Sequence, residues 1–157
     1  MTVCTHERQC VLGSVVDGEM VLNQFGQIVQ SSWEQIPHHY SNVTLDLFVV
    51  MPNHVHGVIV LADTAVGAGL KPAPTKRHSL SEIVRALKTF PARRINGLRA
   101  THGAPVWQRN YYEHVICNER ELNLIREYIS TNHLKWMLDR ENPERTGVSS
   151  LEKDLFR

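Results

Sequence analysis

Nowhere does the chain approach the eighteen uninterrupted apolar residues that a membrane-spanning helix requires, which excludes an integral membrane protein built on helices. Cysteine is scarce. Cys4, Cys10 and Cys117 form an odd set without metal-type spacing and read as small buried hydrophobes or spare thiols of a reducing compartment. The opening MTVCTHERQC carries charge within six or seven residues and has no apolar stretch of the kind a secretory leader needs, so the expected location is cytoplasmic. Aromatic residues make up 7% of the chain and charged residues 21%, with 42% hydrophobic. That balance excludes collagen-like, coiled-coil and wholly disordered chains and leaves one ordinary globular domain.

A net charge of +1 over 157 residues conceals a segregation. Between Lys71 and Arg99 stand eight basic residues (Lys71, Lys76, Arg77, Arg85, Lys88, Arg93, Arg94, Arg99) against one acid, Glu82, a local charge of +7. The remainder carries −6. Clustered Lys and Arg suit a polyanionic partner, because phosphate binding draws on counterion release. A solvated helix face gives the same run.

Periodicity supplies the organisation. Thr2 to Thr5 reads as a short strand, and Gly13 to Leu22 as a hairpin about Asp17-Gly18. Asn23 is placed to cap a helix whose Phe25, Ile28, Val29, Trp33 and Ile36 recur at helical spacing, with Pro37 as its stop. Val43 to Met51 alternates as a half-buried strand, and His54 to Leu61 is a second strand after Pro52-Asn53. Residues 62–78, rich in Ala, Gly and Pro, are expected to form a mobile loop. Ser79 and Glu82 have capping-box spacing and open a helix that Pro91 is expected to kink or end. A short strand over Tyr112 to Ile116 and a last helix through Leu122, Ile125 and Ile129 complete the pattern, with a polar tail over 143–157. The sum is a single α+β domain over 1–142, an antiparallel sheet covered by helices.

Two places carry chemistry. In MPNHVHGVIV the residues His54 and His56 stand two apart, so on a strand both imidazoles leave the same face and two nitrogens can converge on one metal ion. The alternative is a pair of exposed histidines flanking a buried Val55. Gly57 removes a side chain beside the pair and is expected to let a ligand approach the backbone. In the last helix Tyr128 and Asn132 stand four apart, one above the other, offset from the apolar stripe. A tyrosine at the margin of a helix core, with Asn132 as a polar cap, explains the same residues without chemistry.

The ordered motifs VVMPNHVHGVIVL, SEIVRALKTFPARRIN, PVWQRNYYEHVI and REYISTNHLKW together resemble the REP-associated tyrosine transposases, of the single-tyrosine, His-hydrophobic-His class of DNA transposases and single-strand nucleases. The resemblance extends over nearly the whole chain. It implies a ferredoxin-like antiparallel sheet, His54, His56 and Asn132 as ligands of a divalent ion, Mg or Mn, and Tyr128 as nucleophile. It implies single-stranded or hairpin DNA of repeat palindromes as partner, in a monomer or a homodimer. Arg85, Lys88, Arg93, Arg94 and Arg109 are the expected phosphate contacts, Trp107, Tyr111 and Tyr112 candidate stacking platforms, and His114 a candidate neighbour of the site. A metallohydrolase using only the histidine pair, and a hairpin-binding module without catalysis, are the alternative functions.

Overall fold

The computed structural model describes residues 1–62, 78–139 and 142–143, so the loop expected over 62–78 and the tail over 143–157 lie, apart from their end residues, outside the described residues. Strand β1 (Thr2–Cys4) is followed by the hairpin β2 (Gly13–Val16) and β3 (Glu19–Leu22). Then come α1 (Gln24–Glu34), the single turn α2 (Ile36–His39), β4 (Val43–Val50) and β5 (His54–Leu61). Helices α3 (Leu80–Arg99) and α4 (Glu119–Thr131) complete the set, α4 running into a 3-10 turn over Asn132–Leu138.

The fold is α+β, as the patterning predicts. β5 is the centre of a three-stranded antiparallel sheet, with β1 on one side and β4 on the other. The hairpin closes through Asp17 and Gly18, both at positive φ (51° and 79°), the backbone that a two-residue hairpin turn demands. Asn23 caps α1, its Oδ1 accepting from the amides of Phe25 (2.9 Å) and Gly26 (3.1 Å). α1 ends at Glu34, and Pro37 sits in the first turn of α2, where its missing N–H costs nothing.

Alternation along β5 sorts its side chains into two layers. Val55 and Gly57 lie with Val3, Phe48 and Val50 on the face covered by α1 and α3, where Val29, Val84 and Ile95 close the core. His54 and His56 lie on the opposite face with their cross-strand partners Cys4, Thr2 and Val49. The strict alternation expected for β4 breaks: Leu45 pairs Ile59 but Phe48 pairs Gly57, so one extra residue is inserted between them. This bulge puts Phe48 in the helix-covered layer with Leu45 rather than opposite it.

Two further expectations are corrected. α3 is not ended by Pro91 but runs through it. Pro91 is buried, as are Ile83, Val84, Leu87 and Ile95 of the same helix, and Trp107 Nε1 donates to the Lys88 carbonyl at 3.0 Å, holding the segment after α3 against this part of the helix. Packing on both sides outweighs the local break. The strand expected over Tyr112 to Ile116 is a single bridge, in which Thr2 and Tyr112 exchange two backbone hydrogen bonds of 2.7 and 2.9 Å. Beyond it the chain turns to α4, where Glu121 accepts from the Cys117 amide at 2.9 Å and bonds His114 Nε2 at 2.6 Å.

Candidate active site

His54 is fully buried and His56 is 8% exposed, which disposes of the exposed-pair alternative. Their rings stand 4.6 Å apart, edge to face. Each ring is set by a partner on its Nδ1. His54 Nδ1 lies 2.8 Å from Asn53 Oδ1, and the Asn53 amide nitrogen donates to the Arg8 carbonyl at 3.0 Å, fixing which end of the amide faces the ring. An oxygen there requires Nδ1–H on His54 and leaves the lone pair on Nε2. His56 Nδ1 lies 2.8 Å from the Thr2 hydroxyl, its cross-strand neighbour, and its Nε2 is buried without a hydrogen-bond partner. Burial, then the charge of His54 and of the terminal amine, hold the His56 pKa well below its ordinary value, so the ring is neutral and able to ligate.

A third group comes from a place the sequence reading did not single out. Asp139, after the 3-10 turn, brings Oδ2 to 3.9 Å from His54 Nε2. Ligand atoms of His54, His56 and Asp139 all lie within 4.8 Å of one another, close enough to share one ion. Asn132 is buried at the head of the same turn, its Oδ1 without a hydrogen-bond partner. Two buried imidazoles and a carboxylate form a donor set that fits a divalent cation. The only sequence signal for Asp139 is its acidic type close behind a tryptophan; no periodicity links it to the histidines.

Tyr128 stands beside this group, its ring edge-on to His56 at 5.3 Å between centroids and 45% exposed. Helix α4 is started by Asn118, which accepts from the Glu121 amide at 2.9 Å, and is tied to β4 by Arg126 and Asp46. One turn separates Tyr128 from Asn132, as the spacing requires.

The remaining candidates divide. Arg85 and Arg93 lie exposed two turns apart on α3, and Arg93 and Arg109 line an open cleft of about 600 Å³ between α3 and the segment 102–109. Arg94 faces instead a second cleft beside Gln24 and Gln27 of α1. Lys88 is half-buried, and its ammonium donates to the carbonyls of Gln108 (2.6 Å) and Arg109 (2.8 Å). Trp107 is core, Tyr111 donates to Glu113 at 2.9 Å, and Tyr112 is exposed. His114 is engaged by Glu121 at the surface, its Nε2 2.6 Å from the carboxylate. Gly57, expected to admit a ligand, has its missing side chain's space filled by Trp33.

No protein-family model matches the chain. An uncharacterised protein of Haemophilus influenzae is 34% identical over 151 residues, covering 88% of this chain and 81% of that protein. A second H. influenzae protein, named "Putative REP-associated tyrosine transposase", is 23% identical over 133 residues, 85% of this chain and 65% of that one. Among solved structures, a REP-associated tyrosine transposase bound to a REP hairpin superposes with a TM-score of 0.57 at 18% identity. That superposition covers 85% of this chain and 64% of the other. A putative transposase from Deinococcus radiodurans superposes with a TM-score of 0.51 at 20% identity, over 84% and 87%. These structural likenesses establish a shared fold. No helix among the described residues is long and apolar enough to cross a membrane.

Proposed function

We propose that the chain is a REP-associated tyrosine transposase, a DNA strand transferase acting on single-stranded or hairpin DNA through Tyr128. The observation that carries this reading is the meeting of two elements distant in sequence: the Tyr128 ring against His56, at the edge of a buried His-His-Asp group. A hairpin-bound relative of the same fold and an open cleft edged by Arg93 and Arg109 support the DNA partner.

The Tyr128 oxygen attacks the scissile phosphorus, the phenolic proton passing to solvent. The P–O3′ bond breaks, and the leaving 3′-oxygen takes up a proton. The product is a 5′-phosphotyrosine with a free 3′-hydroxyl, and attack by a 3′-hydroxyl reverses the step without loss of bond energy. A phenol with an ordinary pKa of about 10 is about one part in a thousand ionised at neutral pH, so the attack needs help. His54, His56, Asp139 and Asn132 are the residues that would hold a divalent ion, Mg or Mn, which when bound supplies Lewis-acid polarisation of the phosphate. The residues themselves contribute a preset neutral imidazole pair, held by Asn53 and Thr2, and an exposed tyrosine edge open to a DNA strand. Arg85, Arg93 and Arg109 draw the phosphates in.

The test is a labelled hairpin oligonucleotide incubated with wild type and with Tyr128→Phe in Mn or Mg, resolved on a denaturing gel. A metal-dependent protein–DNA adduct that Tyr128→Phe abolishes is the expected result. Cleavage that persists in Tyr128→Phe overturns the nucleophile in favour of a metallohydrolase, and binding without cleavage reduces the protein to a hairpin-binding module.

A further inference from the structure

Helix α4 carries the tyrosine, yet it is lightly held: of its thirteen residues Ile129 is the one that is buried. It packs on β4 and on the 3-10 turn that follows it. A polar tie between α4 and the sheet is the two-pronged ion pair of Arg126 and Asp46. Arg126 Nε donates to Asp46 Oδ1 at 3.1 Å, and Arg126 Nη2 donates to Oδ2. Both carboxylate oxygens are engaged, an arrangement that fixes the guanidinium in plane and in direction as a single contact does not.

Asp46 is itself immobilised. It sits in the bulge of β4, next to Leu45 of the helix-covered layer, and its Oδ1 accepts from the Leu47 amide at 2.7 Å. Three residues on, Val49 of the same strand pairs with His56. At the other end Arg126 stands two residues before Tyr128, and its Nη1 also reaches Asn123 Oδ1 at 3.3 Å, bracing the guanidinium against its own helix. The carboxylate and the histidine therefore belong to one rigid sheet, and the guanidinium and the tyrosine to one helix. A helix with so little buried surface has rotation and slide to lose, and the fork restricts both.

We propose that Asp46 and Arg126 are a positioning pair for the strand-transfer reaction, setting the helix that bears Tyr128 against the strands that bear His54 and His56. The inference rests on the Tyr128 reading above. Neither residue touches the reacting atoms; the pair acts through the placement of α4.

The experiment compares Asp46→Asn, Arg126→Lys and the reversed pair Asp46→Arg with Arg126→Asp. Asp46→Asn keeps the acceptor for the Leu47 amide and removes only the charged fork. The expected result is a single-turnover rate of adduct formation lower by about ten- to a hundredfold in each single variant, with hairpin affinity within about twofold of wild type. The reversed pair should recover part of the rate. Rates unchanged in both single variants, or a loss of rate matched by an equal loss of DNA affinity and of folded protein, overturn the proposal. A second readout needs no turnover: a fluorine-labelled tyrosine at position 128, edge-on to His56, should shift its resonance in Asp46→Asn. An unmoved resonance overturns the proposal as well. If wild type forms no adduct, the nucleophile reading falls by itself, and the fluorine spectrum alone decides whether the pair holds α4 in place.

Discussion

Asp139 changes the chemistry that the two histidines and Asn132 offer. Two imidazoles with an amide oxygen suit Zn or Ni as well as harder ions, whereas a carboxylate adds a hard, charged donor of the kind Mn and Mg prefer. Asp139→Asn keeps the shape and removes the charge. It is expected to weaken Mn binding by at least about tenfold in calorimetric titration, with the far-UV circular dichroism unchanged. Equal affinities in the two proteins would exclude Asp139 from the ligand set. The histidines were legible because a period of two on one strand is a local property, and Tyr128 with Asn132 because a spacing of four on a helix is another. Asp139 was not, because its approach depends on the Asn132–Leu138 segment tightening from α into 3-10 geometry and delivering the chain back to His54. That is a tertiary event with no periodic trace.

Between elements, the contact that seats α1 on the sheet is the stack of Trp33 on Phe48, rings 4.3 Å apart and 8° from parallel, lying across Gly57. A Cβ at Gly57 would come within 2.5 and 2.9 Å of the Trp33 ring and 3.0 Å of Phe48. Trp33 is buried and cannot swing aside. Gly57→Ala is therefore expected to destabilise the fold by about 1–3 kcal/mol through overpacking, read from the midpoint of urea unfolding. A midpoint at or above that of wild type would show that the stack yields. The sequence suggested ligand access at this glycine because a missing side chain looks the same whatever fills it. The other misreadings at this scale have one cause, a local signal overruled by packing. Pro91 should break α3, but burial of Leu87 on one side and Ile95 on the other carries the helix through. Phe48 alternates with the wrong set until the β4 bulge shifts it. Capped and strongly periodic elements such as α1, β5 and the Asp17-Gly18 hairpin formed as expected, since there local and tertiary preferences agree.

For the whole molecule the segregated charge is the feature that reaches furthest, and the structure divides what composition lumps together. Arg99 lies over the Phe25 ring at 4.8 Å, and Lys88 gives its ammonium to two carbonyls, its pKa lowered by burial. Arg85 and Arg93 stay exposed on one face of α3, and Arg93 shares its cleft with Arg109. Basic residues that look alike in sequence thus stand in different surroundings: Arg85 and Arg93 are open to a phosphate partner, while Lys88 fastens the segment that carries Arg109. The distinction is measurable. For a single strand each phosphate contact contributes about 0.7 to the slope of log affinity against log salt. Fluorescence anisotropy over a salt series should show that slope reduced by about 0.7 in Arg93→Gln and again in Arg109→Gln. Lys88→Met should leave the slope unchanged and lower the melting temperature instead, because the carbonyls of Gln108 and Arg109 lose their shared donor. A slope that falls in Lys88→Met as far as it falls in Arg93→Gln would put that ammonium on the DNA and not beneath the loop that holds Arg109.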